Sequence, residues 1–249
     1  MKNEALLLLA VVLATAVEMV EALTIVLAVG ATRGWRATLA GVGAALVVLG
    51  IVVAAVGPAI SHLSLTPMRL VVGGLLLIFG IQWTRKAILR SSGYKAMHDE
   101  DIIFGSTQVS ASEAPRPASF DGYSFTVAFK GVFLEGLEVV FIVLTFGAPQ
   151  HQLTVSALVA SVTVVAIAAV GVAVHRPLSR VPENTLKFIV GILLMSFGMF
   201  WSAEGAGVAW PGGESALPVL IALVAGTSVL LARALRRQHG RILANQVPS

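Results

Sequence analysis

The sequence predicts an all-α, polytopic membrane protein with seven transmembrane helices, arranged as two inverted three-helix repeats plus one extra C-terminal helix. The 249 residues are 57% hydrophobic and only 12% charged, whereas soluble domains carry about 25% charged residues. Apolar segments recur along the chain at lengths that suit a hydrocarbon core about 30 Å thick. Two of these segments carry glutamates at matching places, which indicates an internal duplication.

Seven apolar segments are long enough, or nearly so, to cross a bilayer. They lie near residues 5–30, 37–60, 67–84, 125–148, 152–174, 185–203 and 215–233. The first resembles a secretory signal, because Ala14-Thr15-Ala16 is similar to a cleavage site. Its apolar sequence continues past that site to Gly30, so a retained first helix is the preferred interpretation.

An internal repeat determines the predicted architecture. Glutamate, glycine and tryptophan recur in register between the first and fourth segments and between the third and sixth, in the pairs Glu18/Glu135, Glu21/Glu138, Gly30/Gly147, Gly73/Gly191, Gly80/Gly198 and Trp83/Trp201. Because the repeated unit has an odd number of spans, the second copy must enter the membrane from the opposite side. Inverted repeats are typical of transporters, whose binding sites lie near the midplane where the repeats meet.

The predicted organisation has four parts. They are the first repeat, a cytoplasmic loop expected to be largely disordered, the second repeat, and a seventh helix with a basic cytoplasmic tail, at 1–85, 86–123, 124–203 and 204–249. The loop contains His98-Asp99-Glu100-Asp101 and then a Ser/Ala/Pro-rich run, a composition typical of disorder. We interpret the acidic cluster as solvated rather than as a weak metal site, because consecutive residues cannot all converge on one ion.

Basic residues predict the orientation of the chain. Those that follow odd-numbered spans fall on one side, at Arg33, Arg36, Arg85, Lys86, Arg90, Lys95, Arg176, Arg180, Arg233, Arg236, Arg237 and Arg241. The opposite side offers little beyond Lys2 and Arg69. The positive-inside rule then places the N-terminus outside and the C-terminus in the cytoplasm of a plasma or inner membrane. The net charge of +4 reflects this topology and indicates no nucleic-acid partner.

Four glutamates lie inside apolar segments, where ionisable groups are rare. A spacing of three places Glu18 and Glu21 on one helical face, and Glu135 and Glu138 on another. A charged group at that depth costs about 2.5–3.5 kcal/mol on insertion, so such residues are functional candidates. We predict these four side chains as metal ligands. Carboxylates in a chain without cysteine suit a hard cation such as Ca²⁺, Mn²⁺, Mg²⁺ or ferric iron.

Other side chains in the spans are interpreted as structural. Met19 and Met195 are expected to pack rather than to supply sulfur ligands. Thr24 and Thr145 are expected to bond their own helix backbone, and Lys130 to extend toward the cytoplasmic interface. The repeated glycines are expected to allow close helix packing, and the repeated tryptophans to anchor span ends at the interface.

The sequence contains no recognisable catalytic constellation. It has no H-E-x-x-H motif, no phosphate-binding glycine loop, and no histidine or paired aspartates within a predicted span. We therefore expect no enzymatic activity, and no cofactor apart from a metal ion carried as substrate.

The glutamate motifs resemble those of a known family. Glu18-Met19-Val20-Glu21 and Glu135-Gly136-Leu137-Glu138 are similar to the R-E-x-x-E motifs of the oxidase-dependent iron permeases. In that family the motifs lie in spans one and four of a seven-helix protein whose N-terminus is outside. The resemblance implies a metal permease that uses these glutamates. The arginine that opens each family motif is replaced here by Val17 and Leu134.

A second resemblance points to divalent cations. The lysine-exporter-type superfamily also includes calcium/manganese–proton exchangers with an E-x-G-D-K-T motif. The segment from Glu18 to Thr24 shares the spacing of the acids and the threonine, and lacks the Gly, Asp and Lys.

The sequence thus predicts a secondary transporter for a metal cation, either iron or a hard divalent ion such as Mn or Ca. Clustered carboxylates in a low-dielectric site repel one another, so an incoming cation is expected to displace protons. The alternative is a proton-conducting or accessory membrane subunit with no metal substrate. The expected partners are the metal, protons and the lipid bilayer. A homo-oligomer or an extracytoplasmic metal-delivery protein is also compatible with the sequence.

Overall fold

A computed structural model of the chain describes residues 2–61, 65–116, 119–148, 152–174 and 182–244, and these residues form helices with no strand among them. The α-helices are α1 (Lys2–Arg33), α2 (Trp35–Ser61), α3 (Leu65–Ser91), α4 (Glu100–Glu113), α5 (Gly122–Gly147), α6 (Leu153–Val174), α7 (Glu183–Gly205) and α8 (Ala216–Ala244). A short 3-10 turn, Gly213–Ser215, precedes α8. Two basic residues used to predict orientation, Arg176 and Arg180, lie outside the described residues.

Six of these helices are long and apolar enough to cross a membrane. They are α1, α2, α3, α6, α7 and α8, which correspond to six of the seven predicted spans. The remaining predicted span, near 125–148, corresponds to α5. That helix has 26 residues, and three charged residues, Lys130, Glu135 and Glu138, interrupt its apolar middle.

The prediction of a largely disordered loop at 86–123 is wrong. α3 continues to Ser91, and α4 occupies Glu100–Glu113. The Asp99 side chain caps α4 by accepting hydrogen bonds from the backbone N–H groups of Asp101 and Ile102, at 2.9 and 3.2 Å. Aspartate is among the preferred helix N-caps, and that local signal outweighs the low-complexity composition that follows it.

The described residues belong to two compact units. One is drawn from Met1–Ala10, Leu63–His98 and Pro182–Ser249, and the other from Val11–His62 and Asp99–Val181. The first unit contains α3, α7 and α8, and the second contains α2, α4, α5, α6 and most of α1. Each unit therefore combines helices from both predicted repeats.

In the first unit, α3 and α7 pack along their lengths through the repeated glycines. A Cβ atom at Gly80 would lie 2.3 Å from the backbone nitrogen of Met195, and one at Gly198 would lie 2.4 Å from that of Leu77. Only glycine permits such an approach, so the predicted packing role is confirmed. Leu77 and Met195 occupy matching positions in the predicted repeat, as the two glycines do. If the two halves of the sequence were exchanged, the Gly80–Met195 contact would therefore become the Gly198–Leu77 contact, and the reverse.

The next glycines along α3 and α7 make equivalent contacts. A Cβ atom at Gly73 would lie 2.4 Å from the nitrogen of Ser202, and one at Gly191 would lie 2.9 Å from the nitrogen of Thr84. Partner numbers on α7 fall as numbers on α3 rise, so the two helices run antiparallel.

The repeated tryptophans belong to this helix pair. Trp83 and Trp201 are 7% and 3% exposed. The Lys187 Nζ atom lies 5.6 Å from the centroid of the Trp83 ring, and the Phe197 ring lies 5.1 Å from that of Trp201. The prediction that they anchor span ends at the interface is wrong, because the close helix approach buries the large rings beside it.

α8 runs parallel to α3 in the same unit. The Arg236 guanidinium donates a hydrogen bond to the carbonyl oxygen of Ser91 from Nε, at 2.9 Å. The rings of Tyr94 and His239 lie 4.6 Å apart between centroids. The C-terminal end of α3 is therefore level with residues 236–239 of α8.

In the second unit, α2 and α5 also run parallel. A Cβ atom at Gly41 would lie 2.4 Å from the carbonyl oxygen of Phe125, and one at Gly136 would lie 2.3 Å from the Leu49 side chain. Residue numbers rise together along the two helices, which fixes their relative direction.

Candidate metal centre

α1 carries the first pair of predicted ligands. Glu18 is 1% exposed, in a row of buried apolar residues that includes Val17 and Val20. Glu21 lies one turn later and is half-buried. The helix thus holds two carboxylates within an apolar environment, one fully buried and one partly accessible.

α5 brings a third carboxylate to this pair. A Cβ atom at Gly131 would lie 3.1 Å from the Ile25 side chain. Gly131 is one turn before Glu135, and Ile25 is one turn after Glu21, so α1 and α5 cross antiparallel with the two glutamates at one level. Carboxylate oxygens of Glu18, Glu21 and Glu135 all lie within 4.8 Å of one another.

The fourth predicted ligand is placed differently. Glu138 lies one turn beyond Glu135 on α5 and is half-buried. Among the described residues, it does not belong to the group of three mutually close carboxylates. The structure therefore brings together three of the four predicted ligands.

Glu100 is an acid near this site that was not among the predicted ligands. It is 4% exposed in the first turn of α4, and one of its oxygens lies within 4.8 Å of one of Glu21. The sequence assigned it to a solvated loop. The signal that could have found it is the aspartate cap at Asp99 followed by Ile102 and Ile103, which is typical of a helix start.

Arg33 fixes the opposite end of α4 to α1. All five N–H donors of its fully buried guanidinium are used. Nε and Nη2 donate to the two Asp121 oxygens at 2.6 and 3.0 Å. Nη1 donates to the carbonyls of Ala111 and Ala114 at 2.7 and 2.8 Å, and Nη2 to that of Pro115 at 2.9 Å. α4 thus lies alongside the last three turns of α1, with Glu100 near Glu21 and Ala111 near Arg33.

Asp121 links this anchor to the start of α5. It accepts hydrogen bonds from the backbone nitrogen and the hydroxyl of Ser124, at 3.3 and 2.7 Å. The hydrogen bonds from Arg33, with help from Ser124, hold the pKa of Asp121 well below its usual range. The Tyr123 ring adds a cation–π contact, with its centroid 5.1 Å from the Arg33 guanidinium carbon. One arginine therefore holds α1, α4 and α5 in fixed relation.

Two threonine predictions are confirmed. The Thr24 hydroxyl donates to the carbonyl of Val20 at 3.0 Å, and the Thr145 hydroxyl donates to that of Phe141 at 2.8 Å. Both are bonds within one helix, as is usual for threonine in apolar helices. Lys130 is exposed, on the same face of α5 as the exposed Leu134. It therefore lies on the outward face rather than among the acids.

A second ionic group lies in the first unit. The His98 Nε2 atom is 3.0 Å from a carboxylate oxygen of the buried Glu183, and the Lys187 Nζ atom is 3.4 Å from the other oxygen. Asn184 holds the backbone of His98, accepting from its N–H at 3.1 Å and donating to its carbonyl at 2.8 Å. The interpretation of residues 98–101 as a solvated acidic loop is therefore wrong at His98 as well as at Glu100.

The three carboxylates are close enough together to hold one hard cation. Ca²⁺ binds carboxylate oxygens at 2.3–2.6 Å, so ligand oxygens around one ion are separated by up to about 5 Å. The separations among Glu18, Glu21 and Glu135 fall within that limit. Each carboxylate can also hold a proton, so the group can bind either a cation or protons.

The chain has no match among protein-family models, curated proteins or solved structures. Its function is therefore inferred from the residues of the site.

Proposed function

We propose that this protein is a secondary transporter for a metal cation, with Glu18, Glu21 and Glu135 as its ligands. The observation that carries the proposal is the meeting of three carboxylates from two apolar helices within 4.8 Å of one another. Bringing like charges together at such depth opposes folding and insertion. A cation or a shared proton offsets that cost, and oxygen ligands favour iron or a hard divalent ion such as Mn or Ca.

The packing directions support α5 as a seventh membrane crossing. Consecutive crossings alternate in direction. With α5 counted, α3 and α7 are the third and sixth crossings and must run antiparallel, as they do. Without α5 they would be the third and fifth and would run parallel. The parallel pairs α2/α5 and α3/α8 fit the same count, as second and fourth, and third and seventh.

The contacts between α3 and α7 support the inverted repeat. Exchanging the two halves of the sequence turns the Gly80–Met195 contact into the Gly198–Leu77 contact. An antiparallel helix pair related in this way is what two inverted copies of one unit would form. In transporters built on that plan, sites lie near the midplane between the repeats, and Glu18 and Glu135 occupy matching repeat positions.

α4 supplies a route between the site and one face of the membrane. Glu100 lies beside Glu21, and α4 runs from there along α1 to Arg33. An ion that leaves Glu21 toward the Arg33 end of α1 meets Glu100 as its next carboxylate. The basic residues after odd-numbered spans favour a cytoplasmic location for that end.

The missing arginines favour coupling to protons. We regard the chain as a distant relative of the oxidase-dependent iron permeases, within the lysine-exporter-type superfamily. Val17 and Leu134 stand where that family's motifs have arginine. The absence of those two arginines lowers the positive charge carried by the motifs themselves, so we expect the acids to hold protons when no metal is bound and to release protons when metal binds.

Metal flux into proteoliposomes tests the proposal. Purified protein is reconstituted, and uptake of Fe, Mn and Ca is measured at pH 7 together with internal pH. Glu18→Gln, Glu21→Gln and Glu135→Gln should each lower the affinity for the transported metal at least about 10-fold, as loss of a coordinating group does. Glu138→Gln should cost less, because Glu138 lies outside the group of three. Glu113→Gln, at the exposed end of α4, is the matched control and should leave uptake unchanged.

The same experiment separates the alternatives. Proton flux without uptake of any of the three metals would reject the metal transporter and favour a proton-conducting subunit. Uptake that survives all three central substitutions would reject the assigned ligands even if transport itself is real.

A further inference from the structure

The first unit contains a cavity that the proposed transport site does not use. It has a volume of about 400 Å³ and lies between the parallel helices α3 and α8, with Met195 of α7 at its wall. Most of its lining is aliphatic and includes Ile81, Ile88 and Leu231. Ile81 is 46% exposed and Leu231 is 51% exposed, so the cavity opens sideways, onto the face that contacts hydrocarbon in a spanning protein.

Two polar side chains lie at one end of the cavity. Arg85 lines it and is exposed, and Thr84 lines it and is 4% exposed. The Thr84 hydroxyl oxygen is buried beside Gly191 of α7, so the guanidinium of Arg85 is the polar group that the cavity presents. The cavity therefore offers a cation beside an apolar wall.

The charge that α3 and α8 expose at this end is entirely positive. Exposed basic residues surround the C-terminal parts of the two helices, at Arg85, Lys86, Arg233, Arg236, Arg237 and Arg241. Neither helix contains an aspartate or a glutamate. A second copy of the chain in the same orientation would bring a like charge to this surface, so charge complementarity favours an anionic occupant.

We infer that this cavity, defined by α3, α8 and Met195, binds one anionic phospholipid of the surrounding bilayer. An acyl chain lies along Ile81, Ile88 and Leu231, and the phosphate pairs with Arg85. Basic pockets between membrane helices recognise lipid head groups in this way. The inference is independent of the transported ion and of the glutamates.

Native mass spectrometry of the full chain tests it. Protein in detergent is mixed with equal amounts of phosphatidylglycerol and phosphatidylcholine, and the lipids that remain bound are counted. The unmodified protein should retain one phosphatidylglycerol in preference to phosphatidylcholine. Arg85→Gln should reduce that preference about five-fold, since each basic residue near a membrane surface contributes about 1 kcal/mol. Arg85→Lys should keep it.

A change in the size of a lining side chain provides a second test, which leaves the charge of the cavity intact. Leu231→Trp fills the cavity and should abolish retention of both lipids. Leu230→Trp, next to it on α8 but outside the cavity lining, is the matched control and should retain the lipid. Arg237→Gln removes an exposed charge outside the cavity lining and should reduce the preference much less than Arg85→Gln does. Three results would each overturn the inference. They are equal retention of the two lipids, equal effects of Arg85→Gln and Arg237→Gln, and lipid binding that survives Leu231→Trp. Appearance of a dimer that Leu231→Trp abolishes would assign the cavity to a second copy instead.

Discussion

Two kinds of buried charge occur in this chain, and they differ in how they are neutralised. The Arg33 guanidinium is fully buried, but every one of its donors has an acceptor, and Asp121 supplies the opposite charge. Such an arrangement stabilises the folded protein, and that effect is enough to explain it. The carboxylates of Glu18, Glu21 and Glu135 are instead brought close to groups of the same charge. Under the proposed function, a bound cation offsets the repulsion between these carboxylates.

Removal of the Asp121 charge should destabilise the fold. Asp121→Asn leaves the Arg33 guanidinium buried without a counter-charge, which costs about 3 kcal/mol. The pKa of Asp121 is lowered in the folded protein, so its contribution is present above the unfolded pKa of about 3.9 and is lost as the pH falls below it. Thermal unfolding in detergent should therefore show a constant deficit of the variant between pH 5 and 8, which narrows under strongly acidic conditions.

The control for this measurement is Asp101→Asn, which changes an exposed acid on α4. It should unfold close to the unmodified protein. An Asp121→Asn variant with unchanged unfolding temperature at pH 7 would contradict the role assigned to the Arg33 anchor.

At the level of helices, repeated residues were better guides than composition. The glycine pairs in α3 and α7 predicted close packing, because glycine, unlike leucine or valine, seldom recurs in register by chance. The composition of residues 86–123 suggested disorder and missed α4. That helix has only 14 residues, and its start is indicated by the aspartate cap at Asp99. The proximity of Glu100 to Glu21 joins segments that lie far apart in the sequence. No local pattern contains that contact, so the helix could be predicted but the place of Glu100 beside the site could not.

The glycine contacts provide a prediction with an internal control. Gly80→Ala and Gly198→Ala each place a methyl group against the partner backbone at 2.3–2.4 Å, and each should destabilise by about 1–3 kcal/mol through overpacking. Because the two contacts are equivalent in the two halves of the sequence, the two variants should lose similar amounts of stability. Gly74→Ala meets nothing within 4 Å and should be neutral or slightly stabilising, since alanine favours helix. Unfolding of the three variants in detergent checks this, and equal stability for all three would argue against the close approach of α3 and α7.

For the whole molecule, the spans were easier to predict than their grouping. Apolar length depends only on the bilayer thickness, so six of the predicted spans correspond to long apolar helices. Which helices pack together depends on side-chain shape across long separations in sequence. The linear division into residues 1–85 and 124–203 therefore did not anticipate two units that each draw on both parts.

The orientation of the chain can be tested because it has no native cysteine. Single cysteines at Ser110 and Gln238 are predicted to be cytoplasmic, and a cysteine at Glu214 is predicted to be external. An impermeant thiol reagent applied to intact cells should label only the last, and permeabilisation should expose the other two. Labelling of Ser110→Cys from outside would reverse the orientation given by the basic residues. If Glu214→Cys and Gln238→Cys were labelled from the same side, α8 would not cross the membrane.

The exchange of contacts between α3 and α7 has a consequence for ancestry. An interface in which Gly80 meets Met195 while Gly198 meets Leu77 is self-complementary, as in a two-fold symmetric dimer. Under the proposed repeat, a half-length chain inserted in both orientations would have met its own copy through these same contacts. Fusion of two oppositely oriented copies requires a unit with an odd number of crossings, and a three-span unit meets that condition without an added linker helix. α4 and α8 would then be later additions, one beside the carboxylates and one beside the lipid-facing cavity.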